Sequence, residues 1–385
     1  MSDREGPRAI WSGRVWLWAV VWALGLSAAW ALLAWGRPAV PIPGEAAPQF
    51  WLFWSPVTVA AILGFLAVAG SEHRQGVVYG VAATLPMLIA GLIAITAWGR
   101  SGDAAVLSSL HLPIVSTVCL GLALTWGTAD PARERFAALT KALEVLVAAG
   151  ILFALLGMAG GLTVGIFGVL GVTLPRGLVQ TGANLAFGVI PVLALAAAYD
   201  PNATPAEQDL SRGPLRWLRL FARLAMVPVL VILAIYVLWF IPLFFWRAFQ
   251  ERAVLLVYNL TVVAVFGLLA LVLPSEDESA TLPEVLLRWI RRSILATSTA
   301  TFLLNLYALA ANADRVIRLG LTANRHAVLG WNLVTLLMLG LVLLGQMRQK
   351  QSSDWPDVFR RSFAAGLPVA AVWSLWVALA SPLLW

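Results

Sequence analysis

Long apolar runs broken by short polar joints recur along the whole chain, and each run is about as long as a membrane-crossing helix needs to be, roughly 20 residues. Eleven stretches qualify: Val15–Gly36, Phe50–Gly70, Val77–Trp98, Ala104–Gly127, Ala142–Thr163, Gly177–Ala198, Leu220–Phe240, Ala253–Leu273, Ile290–Ala311, Ala327–Gln346 and Phe363–Leu383. The joints are short. The longest, Tyr199 to Arg219, is too small to bury a core of its own. The pattern therefore predicts an all-α fold, a polytopic membrane helix bundle of about 11 transmembrane spans, with residues 1–385 as a single integral membrane domain. One stretch fits poorly. After Glu144 no charge follows as far as Pro175, a stretch too long for one upright span. The expectation is a span followed by a re-entrant or interfacial segment over 164–176, which needs cover from protein or water.

Composition agrees. Of the 385 residues 61% are hydrophobic and 12% charged, about half the charged share of a soluble domain. The net charge of +7 comes from 26 basic residues, all arginine except Lys141 and Lys350. They sit in ones to fours between the runs, which is topology signalling and excludes nucleic acid as the partner. With the N-terminus inside, one side collects Arg4, Arg8, Arg14, Arg74, Arg133, Arg135, Lys141, Arg212, Arg216, Arg219, Arg223, Arg288, Arg291, Arg292, Arg348, Lys350, Arg360 and Arg361. The other side holds Arg37, Arg100, Arg176, Arg247, Arg252, Arg315, Arg318 and Arg325. This bias predicts N-in, C-out. Many of the 19 tryptophans gather near span ends, where an indole anchors at the interface.

Candidate chemistry is sparse. The lone cysteine, Cys119, permits no disulfide within one chain and no metal cluster, and no cofactor is expected. HExxH, GxSxG and Walker motifs are absent, and the first outside loop, Arg37–Gln49, has Glu45 as its one acid. His111 is the single histidine within an apolar run. Gln180, Asn184, Asn259, Asn305 and Asn332 read as hydrogen-bonding glue between helices. Gly157, Gly161 and Gly165 fall four residues apart on one helix face, so a neighbouring helix can approach to backbone contact there. The readings are packing against another span of the chain, a homodimer face, or a bend lining a cavity, and the partners expected besides lipids are a second copy or another membrane protein.

The densest polar stretch inside the apolar pattern is Asn312 to Arg325, with Asp314, Arg315, Arg318, Asn324 and Arg325. Arg315 and Arg318 share a face, Gly320 is suited to end a helix with positive φ, and Thr322 to cap the next. Arg315, Arg318 and Arg325, with Asn305 below them, form a candidate site for an anionic headgroup or substrate. The alternative is a tight turn whose arginines bind lipid phosphates or Asp314. The run Tyr307…Arg315-Val-Ile-Arg-Leu-Gly320-Leu-Thr322-Ala-Asn-Arg325 resembles the arginine, Gly-Leu-Thr, arginine signature of a bacterial inner-membrane family catalogued as domain of unknown function 4153. That resemblance implies the inner membrane and no particular reaction. Two function classes follow: passive transport or lipid and anionic-substrate handling, with membrane lipids as partners, and a non-catalytic membrane subunit or scaffold. An enzyme ranks third. A deep wet cavity at Asn184, Asn259 or Asn305 favours transport. A solid bundle with an exposed glycine face favours the subunit.

Overall fold

A computed structural model describes residues 13–33, 48–70, 74–98, 102–209, 214–349 and 354–385. Arg4, Arg8, Arg37, Glu45, Arg100, Arg212 and Lys350, which enter the readings above, lie outside the described residues. The fold is an all-α bundle, 89% helical. Eleven helices among the described residues are long and apolar enough to cross a membrane. They are α1 (Gly13–Leu33), α2 (Pro48–Ala69), α3 (Arg74–Trp98), α4 (Gly102–Leu124), α5 (Pro131–Val169), α6 (Arg176–Ala198), α7 (Pro214–Ile235), α8 (Arg252–Val272), α9 (Glu284–Leu319), α10 (Ala323–Arg348) and α11 (Trp355–Leu384).

Hydropathy marks the middle of each helix, and breakers set the ends. In α5 the Asp130 side chain accepts the Arg133 N–H at 3.2 Å and Pro131 opens the first turn. Nothing interrupts the helix until the turn at Gly171, whose φ is +71°. The result is 39 residues in one helix, about 58 Å long against a hydrocarbon core of about 30 Å. This corrects the expected segment at 164–176. Residues 164–169 are the last turns of α5, the following turn leads directly into α6, and no separate re-entrant helix forms. Likewise α9 starts after Pro283 and stops at Gly320, with φ +78°.

Two cores lie side by side. Trp30, Phe65, Leu66, Val192 and Tyr199 join α1, α2 and α6 in the first half. Phe136, Leu269, Leu339, Phe359 and Phe363 join α5, α8, α10 and α11 in the second. Helix α11 closes the seam: Leu112 and Val115 of α4 pack with its Ala378, and Ser108 Oγ donates to Ala378 O at 2.9 Å. His111 is part of this seam. Its Nε2 accepts the Trp331 indole N–H at 2.8 Å, so Nδ1 carries the proton and donates to Leu107 O at 2.7 Å. The ring is a neutral structural link between α4 and α10.

Successive helices alternate in direction, so Arg133, Arg135, Arg216, Arg219, Arg223, Arg288, Arg291, Arg292, Arg348, Arg360 and Arg361 gather at one end, the basic end. The Gly320 turn lies at the other. Exposed Trp126, Trp217 and Trp289 ring the basic end, and exposed Trp239, Trp246 and Trp376 ring the opposite one. Apolar side chains cover the outer surface between the two rings, as on a bundle solvated by lipid. The chain is a multi-pass membrane protein.

Candidate functional site

At the hinge the local reading of the sequence holds. Gly320 ends α9 and the Thr322 hydroxyl accepts the Arg325 N–H at 3.4 Å to start α10. The arginines, however, are largely engaged within the turn. Arg325 Nη1 donates to Leu319 O at 2.9 Å and Gly320 O at 2.7 Å, filling carbonyls that the end of a helix leaves open. Arg318 forks onto Asp314 one turn back, with Nε 2.9 and 2.8 Å from the two carboxylate oxygens. Arg315 is half-buried, and its Nη1 finds no hydrogen-bond partner among the described residues. Asn305 does not belong to this corner. It lies about 15 Å down the helix axis from Arg315, is fully buried, and its amide donates to Asn332 O at 3.1 Å and Thr335 Oγ1 at 2.7 Å. It bonds α9 to α10 and faces no anion. The expected four-residue set is thus three arginines in one turn, two of them internally paired, and one remote packing amide.

The glycine row is also not where the chain packs on itself. A methyl group placed at Gly157, Gly161 or Gly165 would meet nothing within 4 Å. Every residue from Ala154 to Val169 is exposed. The close approaches fall at other glycines, including Gly76 and Gly80 of α3, four residues apart and both against Ala123 at the end of α4. Gly188 of α6 lies against the backbone of Ser27 in α1, and Gly330 of α10 against the Trp373 ring of α11.

The basic end holds what the sequence did not announce. Lys141 and Glu144 sit one turn apart in α5, both nearly fully buried, with Nζ 2.7 Å from Oε2. The same ammonium donates to Ala198 O at 2.9 Å and Asp209 O at 3.0 Å, so all three of its protons are used. Beside it Arg219, 2% exposed, and Arg223 converge from α7 on Glu278, at 3.4 and 2.8 Å. Arg360 of α11 pairs with Asp357 and donates to Pro274 O at 2.7 Å, just past the end of α8. Arg361 reaches Asp130, the cap of α5, at 3.2 Å. A cavity of about 260 Å³, lined by Asp130, Arg133, Asp357, Arg360 and Arg361, opens between the first turns of α5 and α11. Ionisable groups this deep at a membrane boundary are costly and mark sites more often than chance. A signal existed: Lys141 and Glu144 have i,i+3 spacing where α5 turns apolar. Counting charges for topology conceals such a pair, because it treats every base as facing water. No group of three or more His, Cys, Asp or Glu that could hold a metal ion occurs among the described residues.

Burial opposes the Glu278 charge, but a hydrogen bond from the Ser275 backbone and the Arg223 and Arg219 guanidiniums outweigh it and pull the carboxyl below its ordinary 4.5. A depressed carboxylate stabilises the fold fully above its unfolded pKa, and that contribution is lost as pH falls through the folded one. Thermal stability is therefore expected to drop as pH falls below about 4.5, less steeply in Glu278→Gln. Parallel melting curves against pH for parent and variant would contradict this.

Neither a family model, nor a curated protein, nor a solved structure matches the chain.

Proposed function

We propose that the protein is a non-catalytic membrane scaffold that assembles laterally in the bilayer, its glycine-rich outer half of α5 lying against the same helix of a second copy. The observation that carries this is the unpartnered stretch Ala154–Val169, exposed on every face and holding Gly157, Gly160, Gly161, Gly165 and Gly168. Each glycine costs a helix about 1 kcal/mol relative to alanine. A helix facing only lipid gains nothing in return, whereas a second backbone at close range does. Four-residue spacing is self-complementary about a two-fold axis, so one row supplies both sides of the contact. A transport path through Asn305 has no support, because that side chain is fully buried. Placement in a bacterial inner membrane, N-in and C-out, and membership of the domain of unknown function 4153 family are parts of the same proposal. They rest on the arginine bias and on the run from Arg315 to Arg325.

The test is the oligomeric state in lipid bilayers, read by single-molecule photobleaching. The parent is expected to dimerise. Gly161→Leu should weaken the dimer roughly tenfold or more with the monomer still folded. Gly267→Leu, a second glycine with open space in the monomer but off the row, should leave the dimer intact. A monomeric parent, or equal behaviour of the two variants, would remove the proposal.

A further inference from the structure

The cavity at the basic end is independent of the α5 glycine face and is formed by the opposite ends of other contacts. Its walls are the first two turns of α5, with Asp130 and Arg133, and of α11, with Asp357, Arg360 and Arg361. We propose that it binds a phosphate group, carried by a phospholipid headgroup or by a small soluble phosphate.

Three features point that way. The first is the balance of charge. Both acids already serve the helix ends: Asp130 accepts the Arg133 N–H at 3.2 Å as the cap of α5, and Asp357 lies in the first turn of α11. Each thereby offsets a helix N-terminus, and three guanidiniums line the same space. The second is preorganisation. Arg360 is nearly fully buried and held from two sides, by Asp357 and by Pro274 O at 2.7 Å, so its position is fixed before any ligand arrives. Arg361 is 67% exposed and tied only loosely across to Asp130, at 3.2 Å, so it can turn onto an incoming anion at little cost. Guanidinium groups bind phosphate oxygens bidentately, which suits a site with one fixed and one swinging arginine. The third is size and place. About 260 Å³ exceeds the needs of a single water and accommodates a phosphate with part of its substituent. The site lies at the helix ends ringed by Trp126, Trp217 and Trp289, at the level where lipid phosphates are found.

The experiment uses the full chain in a neutral, phosphate-free detergent. It is titrated separately with inorganic phosphate and with short-chain phosphatidylglycerol, and read by thermal shift and by native mass spectrometry. One ligand per chain is expected. Arg361→Ala and Arg133→Ala should each weaken it roughly tenfold or more. Asp130→Asn retains a capping side chain but releases Arg361, and should tighten binding. Arg348→Ala removes one exposed charge from the same end of the bundle and should change affinity by less than about twofold. Binding of the lipid alone assigns a headgroup, and binding of inorganic phosphate as well assigns a soluble phosphate. If neither probe binds, or if Arg348→Ala weakens binding as much as Arg361→Ala, the site does not exist. Because Arg361 is largely exposed, its alanine variant tests binding without testing folding.

Discussion

Glu144→Ala is expected to destabilise the protein by about 3–5 kcal/mol, the cost of stranding a buried charge. Lys141 is 5% exposed and Glu144 3%. The carboxylate takes one ammonium proton at 2.7 Å, and the carbonyls of Ala198 and Asp209 take the other two. Without Glu144 the ammonium keeps two neutral acceptors and no countercharge. Lys141→Met is equally severe in the other direction, leaving a buried carboxylate and two open carbonyls. The double variant Lys141→Met, Glu144→Leu removes both charges and leaves only the carbonyls unsatisfied. It should therefore recover much of the loss, retaining a deficit of about 1–3 kcal/mol. Chemical unfolding in detergent, arranged as a double-mutant cycle, measures all three. Single variants costing less than about 1 kcal/mol would mean that water reaches the pair, as it does for surface ion pairs. The damage should concentrate where the lysine does its work: it ties α5 to the end of α6 and to the loop ahead of α7, so protection from proteolysis around Asn202 should fail first.

Gly188→Ala is expected to cost about 1–3 kcal/mol or more, and Gly161→Ala to be neutral or stabilising by up to about 1 kcal/mol. At Gly188 the added methyl would overlap the backbone nitrogen and side-chain oxygen of Ser27. Backbone cannot rotate away, so α1 and α6 must separate. The Ser27 Oγ bond to Leu185 O at 3.2 Å, which spans the two helices, would stretch with them. At Gly330 the obstacle is the Trp373 ring, a side chain with some room to adjust, so Gly330→Ala should fall between the other two. At Gly161 nothing stands in the way and only helix propensity changes. Melting temperatures of the three variants in monodisperse detergent should order as Gly161→Ala, Gly330→Ala, Gly188→Ala, highest first. A reversal would mean that the close contacts are elsewhere.

The glycines also show why sequence reading succeeded unevenly. A four-residue row identifies a face that can approach another helix, but not whether the chain itself provides that helix. Gly188 carries no periodic partner, and its role depends on α1, more than 150 positions earlier. The hinge was legible because its parts are local: positive φ at Gly320, the Thr322 cap and the Arg318–Asp314 fork all lie within nine residues. Asn305 fits its reading as glue between helices and not its place in the hinge set, and which helix it ties was hidden because Asn332 and Thr335 become its neighbours only when α9 and α10 pack.

The sequence by itself determined the class, the helix count and most helix centres. Twenty apolar residues in a row can satisfy their backbone in lipid only as a helix, and that requirement involves no distant residue. Capping and breaking residues at Asp130-Pro131, Gly171, Pro283 and Gly320 set where the long helices begin and end, again through contacts within one turn. Tertiary structure alone decided which charges leave water. Lys141, Glu144, Arg219 and Arg360 come from three different helices and are buried only because those helices meet, with carbonyls presented by the end of α6 at Ala198 and by loops at Asp209 and Pro274. A charge can be taken from water only when partners from elsewhere in the fold complete its hydrogen bonds, and which partners those are is a property of the packing.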